Sequence, residues 1–154
     1  MSGVIEFIDG EKTGAEGEMP FRRACAQFCF AIPSSKAAVA LAVQSVRRAM
    51  ELLVLDEDWM FRMELSLQEA LLNGHFHGNQ ANSAREIRVA CIFSFKKVEI
   101  QVEDDGVGYD LNHNFFVINH PEPGGRGLYL IRQLMDSVTI SDSGSHISMA
   151  LAKE

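Results

Sequence analysis

The segment from Ile87 to Asp104 constrains the fold more than any other part of the sequence. Apolar residues alternate with mostly polar ones at positions 87, 89, 91, 93 and 95 and, after the turn Lys96-Lys97, at 98, 100 and 102. Such alternation is typical of two neighbouring strands that turn one face to a core and the other to water. The pattern therefore predicts a hairpin in a sheet that needs a helical layer on one side.

Helical periodicity supplies that layer. Apolar residues recur at helical spacing after the capping pair Ser34-Ser35, again from Asp56 to about His75, and more briefly from Leu128 to Met135. Further strands are predicted before Pro33 and at 138–141 and 147–151. The prediction is an α+β two-layer sandwich with a mixed, mainly antiparallel sheet and helices packed on one face.

Length, charge and cysteine content limit the number of domains, the kind of ligand and the cellular location that can be expected. The chain has 154 residues and a net charge of -7, which suits one domain and argues against a protein that grips nucleic-acid backbones. Residues 1–20 are predicted to be an N-terminal extension, either with an edge strand at Val4–Ile8 or loose, and residues 21–154 the domain. The 3 cysteines form no C-x-x-C pair, and no secretory signal or run of about 18 apolar residues occurs. We therefore expect a cytoplasmic location.

Three polar residues share one face of the second predicted helix. Glu69, Asn73 and His77 follow one another at intervals of four residues, which places them in line on an α-helix. A carboxylate there can orient or deprotonate a nucleophile, and an amide oxygen suits Mg²⁺. The alternative is a solvated helix face with a histidine-rich end, in which His75 and His77 have structural or capping roles.

A carboxylate also interrupts the predicted core. Asp104 continues the inward series of its strand, where burial costs free energy unless a donor hydrogen-bonds it. The motif Asp-x-Gly-x-Gly continues with Gly106 and Gly108, and glycines permit a close backbone approach to a flat ligand. An adenine amino group is one suitable donor, and a simple strand-ending turn is the alternative.

A third glycine-rich stretch opens the last predicted helix. Residues 124–128 read Gly-Gly-Arg-Gly-Leu, so free N–H groups and the helix dipole meet at an anion site beside Arg126. The segment from Tyr109 to Pro123 before it has the length of a lid or binding loop. Alone, the stretch also fits a plain helix entry.

The three motifs in this order resemble the Bergerat ATP-binding fold. Within that superfamily the chain, from about Phe28 to Lys153, is most similar to the anti-sigma-factor serine kinases of bacterial partner-switching systems. The resemblance implies that Glu69 is the general base, that Asn73 ligates Mg²⁺ and that Asp104 binds the adenine amine. It further implies nucleotide contacts, on the base side from Gly106, Gly108 and Ser145, and on the phosphate side from His77, Gly125, Arg126, Gly127 and Leu128.

The implied function is an ATP- and Mg²⁺-dependent serine kinase and anti-sigma factor. Its implied partners are a STAS-domain anti-sigma factor antagonist, which it phosphorylates on serine, and a sigma factor or other effector, which it sequesters. The resemblance also implies a homodimer, with no direct contact to nucleic acid or membrane. Two alternatives stay open: a nucleotide-binding module that only sequesters a partner, and a histidine-kinase-type catalytic domain acting on a histidine of another chain.

Overall fold

The computed structural model describes residues 4–8, 25–53, 55–94, 96–106 and 126–152. Within these ranges a sheet of six strands packs against three helices. In chain order the elements are β1 Val4–Ile8, β2 Cys25–Pro33, α1 Lys36–Leu52, α2 Glu57–Asn73, a π-helical turn at Gly74–Gly78, β3 Glu86–Phe93, β4 Lys97–Asp104, α3 Arg126–Leu134, β5 Ser137–Ile140 and β6 His146–Ala152. The predicted two-layer α+β architecture is confirmed.

The sheet has the strand order β1-β2-β3-β4-β6-β5, and every pairing among the described strands is antiparallel. The predicted antiparallel character of the sheet is confirmed, whereas the parallel pairing that a mixed sheet requires does not occur among the described strands. Two helices joined by a short loop lie between β2 and β3, so the chain crosses the layer twice and β3 runs opposite to β2. A single helix between them would have made the pair parallel.

The core lies between the sheet and the helices. Alternate residues of β3 and β4 are buried, as the alternation predicts. They pack with the apolar faces of the helices in one cluster, which includes Ile87, Val89, Cys91, Phe93, Val98, Ile100 and Val102 from the strands and Val39, Val46, Met50, Met63, Leu67, Leu71 and Ile131 from the helices. Phe95, which the pattern also assigns to this face, lies outside the described residues.

The helix starts follow the predicted capping residues. Ser35 is the N-cap of α1 and accepts a hydrogen bond from the N–H of Ala38, while Asp56 caps α2 through the N–H of Asp58. The end of α2 differs from the prediction of helix to about His75. Its α-helical part ends at Asn73, and the chain continues as one wider π-helical turn.

Two arginines connect the N-terminal half of α2 to α1 and to the end of α3. Arg47 of α1 lies 2.7 Å from Glu64 of α2, through Nη1 and Oε2. Arg62 of α2 donates through Nε to the carbonyl of Leu134 at 2.6 Å and through Nη2 to Asp136 at 2.9 Å. A cation that binds the last carbonyls of a helix also interacts favourably with the helix dipole, so Arg62 fixes the end of α3.

The strand β1 forms one edge of the sheet and pairs with β2 in the register Val4↔Cys29 to Ile8↔Cys25. The edge-strand alternative for this segment is thereby confirmed, whereas the boundary between extension and domain at residue 20 stays a prediction. Among the described residues no helix has the length and apolarity needed to cross a membrane.

Candidate nucleotide-binding site

Glu69 and Asn73 lie on the C-terminal half of α2, against the first turn of α3. Asn73 is buried and Glu69 is half-buried. The backbone of Gly127 comes so close that a Cβ at that position would lie 2.7 Å from Glu69 Oε2 and 3.1 Å from Asn73 Nδ2. An alanine there would push the Glu69 carboxylate aside and crowd the Asn73 amide, so the glycine at the start of α3 leaves room for both side chains.

The first turn of α3 offers backbone N–H groups beside these two side chains. Arg126 opens the helix with an exposed side chain. Leu128 is 4% exposed and belongs to the core, so only its backbone is available to a ligand. The positive end of α3 and the oxygens of Glu69 and Asn73 thus meet at one place, which suits a phosphate with its metal ion. Gly125 lies outside the described residues.

Asp104, at the end of β4, is buried as predicted, with 6% of its surface exposed. Its backbone N–H donates to the carbonyl of Ser145 at 3.0 Å, which brings the β5–β6 connection alongside. Its Oδ1 accepts a hydrogen bond from the N–H of Gly106 at 2.9 Å. Burial raises the pKa of the Asp104 carboxyl, and the Gly106 N–H opposes this only in part. The ionised carboxylate therefore needs a further donor, which a ligand can supply.

Glycines pack around that carboxyl group. A Cβ on Gly78 would lie 2.2 Å from Asp104 Cγ, and one on Gly106 would lie 1.9 Å from the carbonyl oxygen of Gly78. Gly74 is less tight, with its nearest contact 3.5 Å from Asp104 Cβ. The π-helical turn thus lies directly on the side chain of Asp104. Gly108, the last residue of the motif, lies outside the described residues.

The neighbouring carboxylate has a structural role instead. Asp105 accepts hydrogen bonds from Arg88 Nη1 at 2.7 Å and from the N–H of Glu86 at 2.9 Å. These bonds hold the pKa of Asp105 below its ordinary value. Of the two adjacent aspartates, only Asp104 combines burial with a raised pKa, which is frequent at functional sites.

The structure brings Glu69, Asn73 and Gly127 together, and Asp104 with Gly106 and the backbone of Ser145. The Ser145 hydroxyl lies 2.9 Å from Ser143 Oγ within the hairpin. His77 lies in the π-helical turn with an exposed side chain, and its role at the phosphates stays a prediction. The loop from Tyr109 to Pro123 lies outside the described residues.

The sequence analysis gave no place at the site to two residues that shape it, although it left a structural role open for His75. Gly78 presses on Asp104, and His75 is buried and bonded through Nδ1 to Ser34 Oγ at 2.9 Å. The pair of glycines four residues apart in Gly-His-Phe-His-Gly was a usable signal, because a helix seldom keeps two glycines without a packing reason. The contact to Ser34 left no signal in the sequence.

The described residues contain no group of three or more metal-ligating histidine, cysteine, aspartate or glutamate side chains. The side chains of Glu69 and Asn73 form no hydrogen bond or ion pair with other described residues. Mg²⁺ usually takes one or two oxygens from a protein while phosphates and waters complete its shell, and Glu69 and Asn73 offer such oxygens. The residues present therefore fit a Mg²⁺ ion that enters with its nucleotide.

Comparison with known protein families agrees with this geometry. Residues 32–151 match the family described as the histidine kinase-like ATPase domain, and this match covers more than half of the chain. The protein therefore belongs to that family. A comparison with curated proteins found no match.

Proposed function

We propose that this protein binds ATP with Mg²⁺ and transfers the γ-phosphoryl group to a serine of a partner protein. The observation that carries the proposal is the meeting of Glu69 and Asn73 with the start of α3 at Gly127. The buried carboxylate of Asp104 packs against the π-helical turn that follows Asn73, and there it would accept a hydrogen bond from the adenine amine. The family match supports nucleotide binding, and the serine specificity rests on the resemblance described above.

In the proposed reaction, Asn73 holds the metal ion and the first turn of α3 holds the phosphates through its N–H groups. The metal ion, when bound, supplies positive charge to the phosphate oxygens. Glu69 orients the serine hydroxyl and accepts its proton as the oxygen attacks the γ-phosphorus. The bond from the γ-phosphorus to the β–γ bridging oxygen breaks, and ADP leaves with the electron pair. Positioning and charge neutralisation supply most of the catalysis in such transfers.

We further propose that the acceptor is a STAS-domain anti-sigma factor antagonist and that a sigma factor or other effector is sequestered in alternation. A homodimer is part of the same proposal. The alternative of a sequestering module without transfer predicts nucleotide binding with no phosphorylated partner. A histidine-kinase-type domain predicts label on histidine, which is acid-labile, instead of on serine.

The decisive first experiment is calorimetric titration with ATP and ADP, with and without Mg²⁺. We expect Mg²⁺ to tighten ATP binding to the natural protein. Asn73→Ala should lose that dependence, because it removes the amide oxygen beside the start of α3. Asn82→Ala is the matched control, since Asn82 is an exposed loop residue bonded to the N–H of Ala84. Absence of nucleotide binding under every condition would overturn the proposal.

A further inference from the structure

A buried hydrogen bond joins the start of the helical layer to the π-helical turn. Ser34 Oγ and His75 Nδ1 are 2.9 Å apart, and the two residues are 0% and 6% exposed. Ser34 also donates its N–H to the carbonyl of Arg85 at 2.9 Å, where β3 is about to begin. Buried polar groups are rarely left unpaired, so this bond selects one position of the imidazole relative to the sheet.

A second residue, Asn79, also ties the π-helical turn to the start of β3. Asn79 donates its N–H to the carbonyl of Gly74 at 2.7 Å, closing the wide turn, and its Nδ2 donates to the carbonyl of Glu86 at 2.9 Å. The N–H of Ala81 donates to the carbonyl of His75 at 2.7 Å, with Ala81 at a φ of 56°. A left-handed alanine costs free energy and persists only where surrounding contacts hold it.

The π-helical turn also determines where Asp104 lies. Gly78 is in contact with the Asp104 carboxyl group, and Gly106, which donates to that carboxyl group, packs on the carbonyl of Gly78. A displacement of the turn therefore moves the carboxylate and the N–H that orients it. A π-helical turn inside a helix is common at functional sites, and here it replaces a regular helix end.

We propose that His75, held by Ser34, is a positioning residue for adenine recognition, a role that rests on the proposed nucleotide binding. Within the described residues the hydrogen-bond partner of the imidazole is Ser34, which is not among the residues assigned to the ligand. Its bond to Ser34 holds the π-helical turn against the strand ends, and the turn holds the carboxylate of Asp104 in line for the adenine amine. Without the bond, the turn relaxes and Asp104 discriminates less between adenine and guanine, which carries an oxygen in place of the amine at C6.

The test is calorimetric titration with ADP and GDP of Ser34→Ala and His75→Phe, which each remove one partner of the bond. We expect both variants to bind ADP about threefold to tenfold more weakly, as for loss of one buried hydrogen bond. The ratio of ADP to GDP affinity should fall in both. His75→Asn, whose amide can occupy the place of Nδ1, should retain the ratio within about twofold.

Ser35→Ala is the control, because it removes the N-cap of the same helix and lowers the melting temperature without touching His75. An unchanged ADP to GDP ratio in a folded Ser34→Ala protein would overturn the inference while leaving the proposed function intact. Should His75→Phe fail to fold, Ser34→Ala still decides, since it leaves the imidazole in place. Absence of ADP binding by the natural protein would overturn the proposed function and the inference with it.

Discussion

The fold gives two carboxylates opposite environments: Asp136 beside the N-terminal half of α2, and Asp104 beside the π-helical turn that follows α2. At the start of the helix Arg62 binds Asp136, whose other oxygen accepts the N–H of Ala152 at 2.8 Å. The N–H of Ala152 and, to a lesser extent, the Arg62 guanidinium hold the pKa of Asp136 below its ordinary value. At the far end, burial raises the pKa of Asp104, and one N–H is the only donor that the described residues give its side chain.

The difference separates a carboxylate that stabilises the fold from one that the proposed function assigns to the ligand. The protein itself stabilises the charge on Asp136, so that charge contributes to folding. It leaves the charge on Asp104 poorly solvated and Glu69 and Asn73 without partners among the described residues. A ligand that supplies donors and cations to Asp104, Glu69 and Asn73 would therefore gain binding free energy that the protein alone does not realise.

The largest expected effect comes from Glu69, with Glu64 on the same helix as its control. Glu69→Ala should lower phosphoryl transfer at least about 100-fold, as for loss of a general base, with ATP binding largely kept. Glu64→Ala, which breaks the pair with Arg47, should leave transfer nearly unchanged. The measurement is label transferred from γ-labelled ATP to each STAS-domain protein of the same organism. Full transfer by the Glu69 variant would refute its role as base.

Two glycines of the π-helical turn give the next contrast. Gly78→Ala places a Cβ 2.2 Å from Asp104 Cγ, and overpacking of this kind costs about 1–3 kcal/mol and should weaken ADP binding. Gly74→Ala meets only ordinary contacts from 3.5 Å at a φ of -59°, and should be neutral or stabilise by up to about 1 kcal/mol. Urea unfolding and ADP titration of both variants provide the check. Equal behaviour of the two would contradict the packing described for Asp104.

Asp104→Asn should weaken ADP binding and at the same time raise the stability of the fold. The amide oxygen can still accept the N–H of Gly106, which leaves an NH₂ group facing the adenine amine. The loss of a charged acceptor, about 1.5–3 kcal/mol, is at least about tenfold in the Kd of ADP. The variant should nevertheless unfold at higher urea at neutral pH. ADP affinity equal to that of the natural protein would remove Asp104 from the site.

The stability that Asp104→Asn gains over the natural protein should depend on pH. Because the folded pKa of Asp104 is raised, the ionised form destabilises the natural protein at neutral pH, and stability recovers as pH falls towards the ordinary value of 3.8. The stability advantage of Asp104→Asn should therefore shrink with decreasing pH. An advantage that grows on acidification would show that the carboxylate is stabilised in the folded state.

The smallest effect is expected at the other end of α2, with the opposite sign. Asp136→Asn keeps an acceptor for the N–H of Ala152 but loses the charge that faces Arg62, and exposed pairs of this kind contribute about 1 kcal/mol or less. Since the folded pKa of Asp136 is lowered, the loss should be present at neutral pH and vanish as pH falls through that pKa. ADP affinity should not change. A stabilising effect at neutral pH would break the contrast with Asp104.

Local periodicity made much of the fold predictable. The alternation from Ile87 through Val102 identified the inward face of the hairpin, and its continuation by one more step placed Asp104 in the core. The four-residue spacing likewise placed Glu69 and Asn73 on one face of a helix. These predictions succeeded because the geometry of a strand or helix fixes where each side chain points relative to its neighbours.

Other features depend on how separate elements pack. Spacing alone could not reveal that Gly127 meets Glu69 and Asn73, because that contact needs α3 to cross α2 at one particular place. The sequence predicted the two helices between β2 and β3, but not which strands would be neighbours in the sheet. The relative directions of paired strands depend on that order, β1-β2-β3-β4-β6-β5, which packing of the layers decides.

The sequence by itself thus determined which residues are helical, extended, buried or chemically suited to a nucleotide. Only the tertiary structure decided that Gly78 lies on the carboxyl group of Asp104 and that His75 is bonded to Ser34, 41 residues away. The physical reason is that periodicity acts over a few residues. The position of a carboxylate to within a fraction of an ångström depends on long-range contacts that form together when the layers pack.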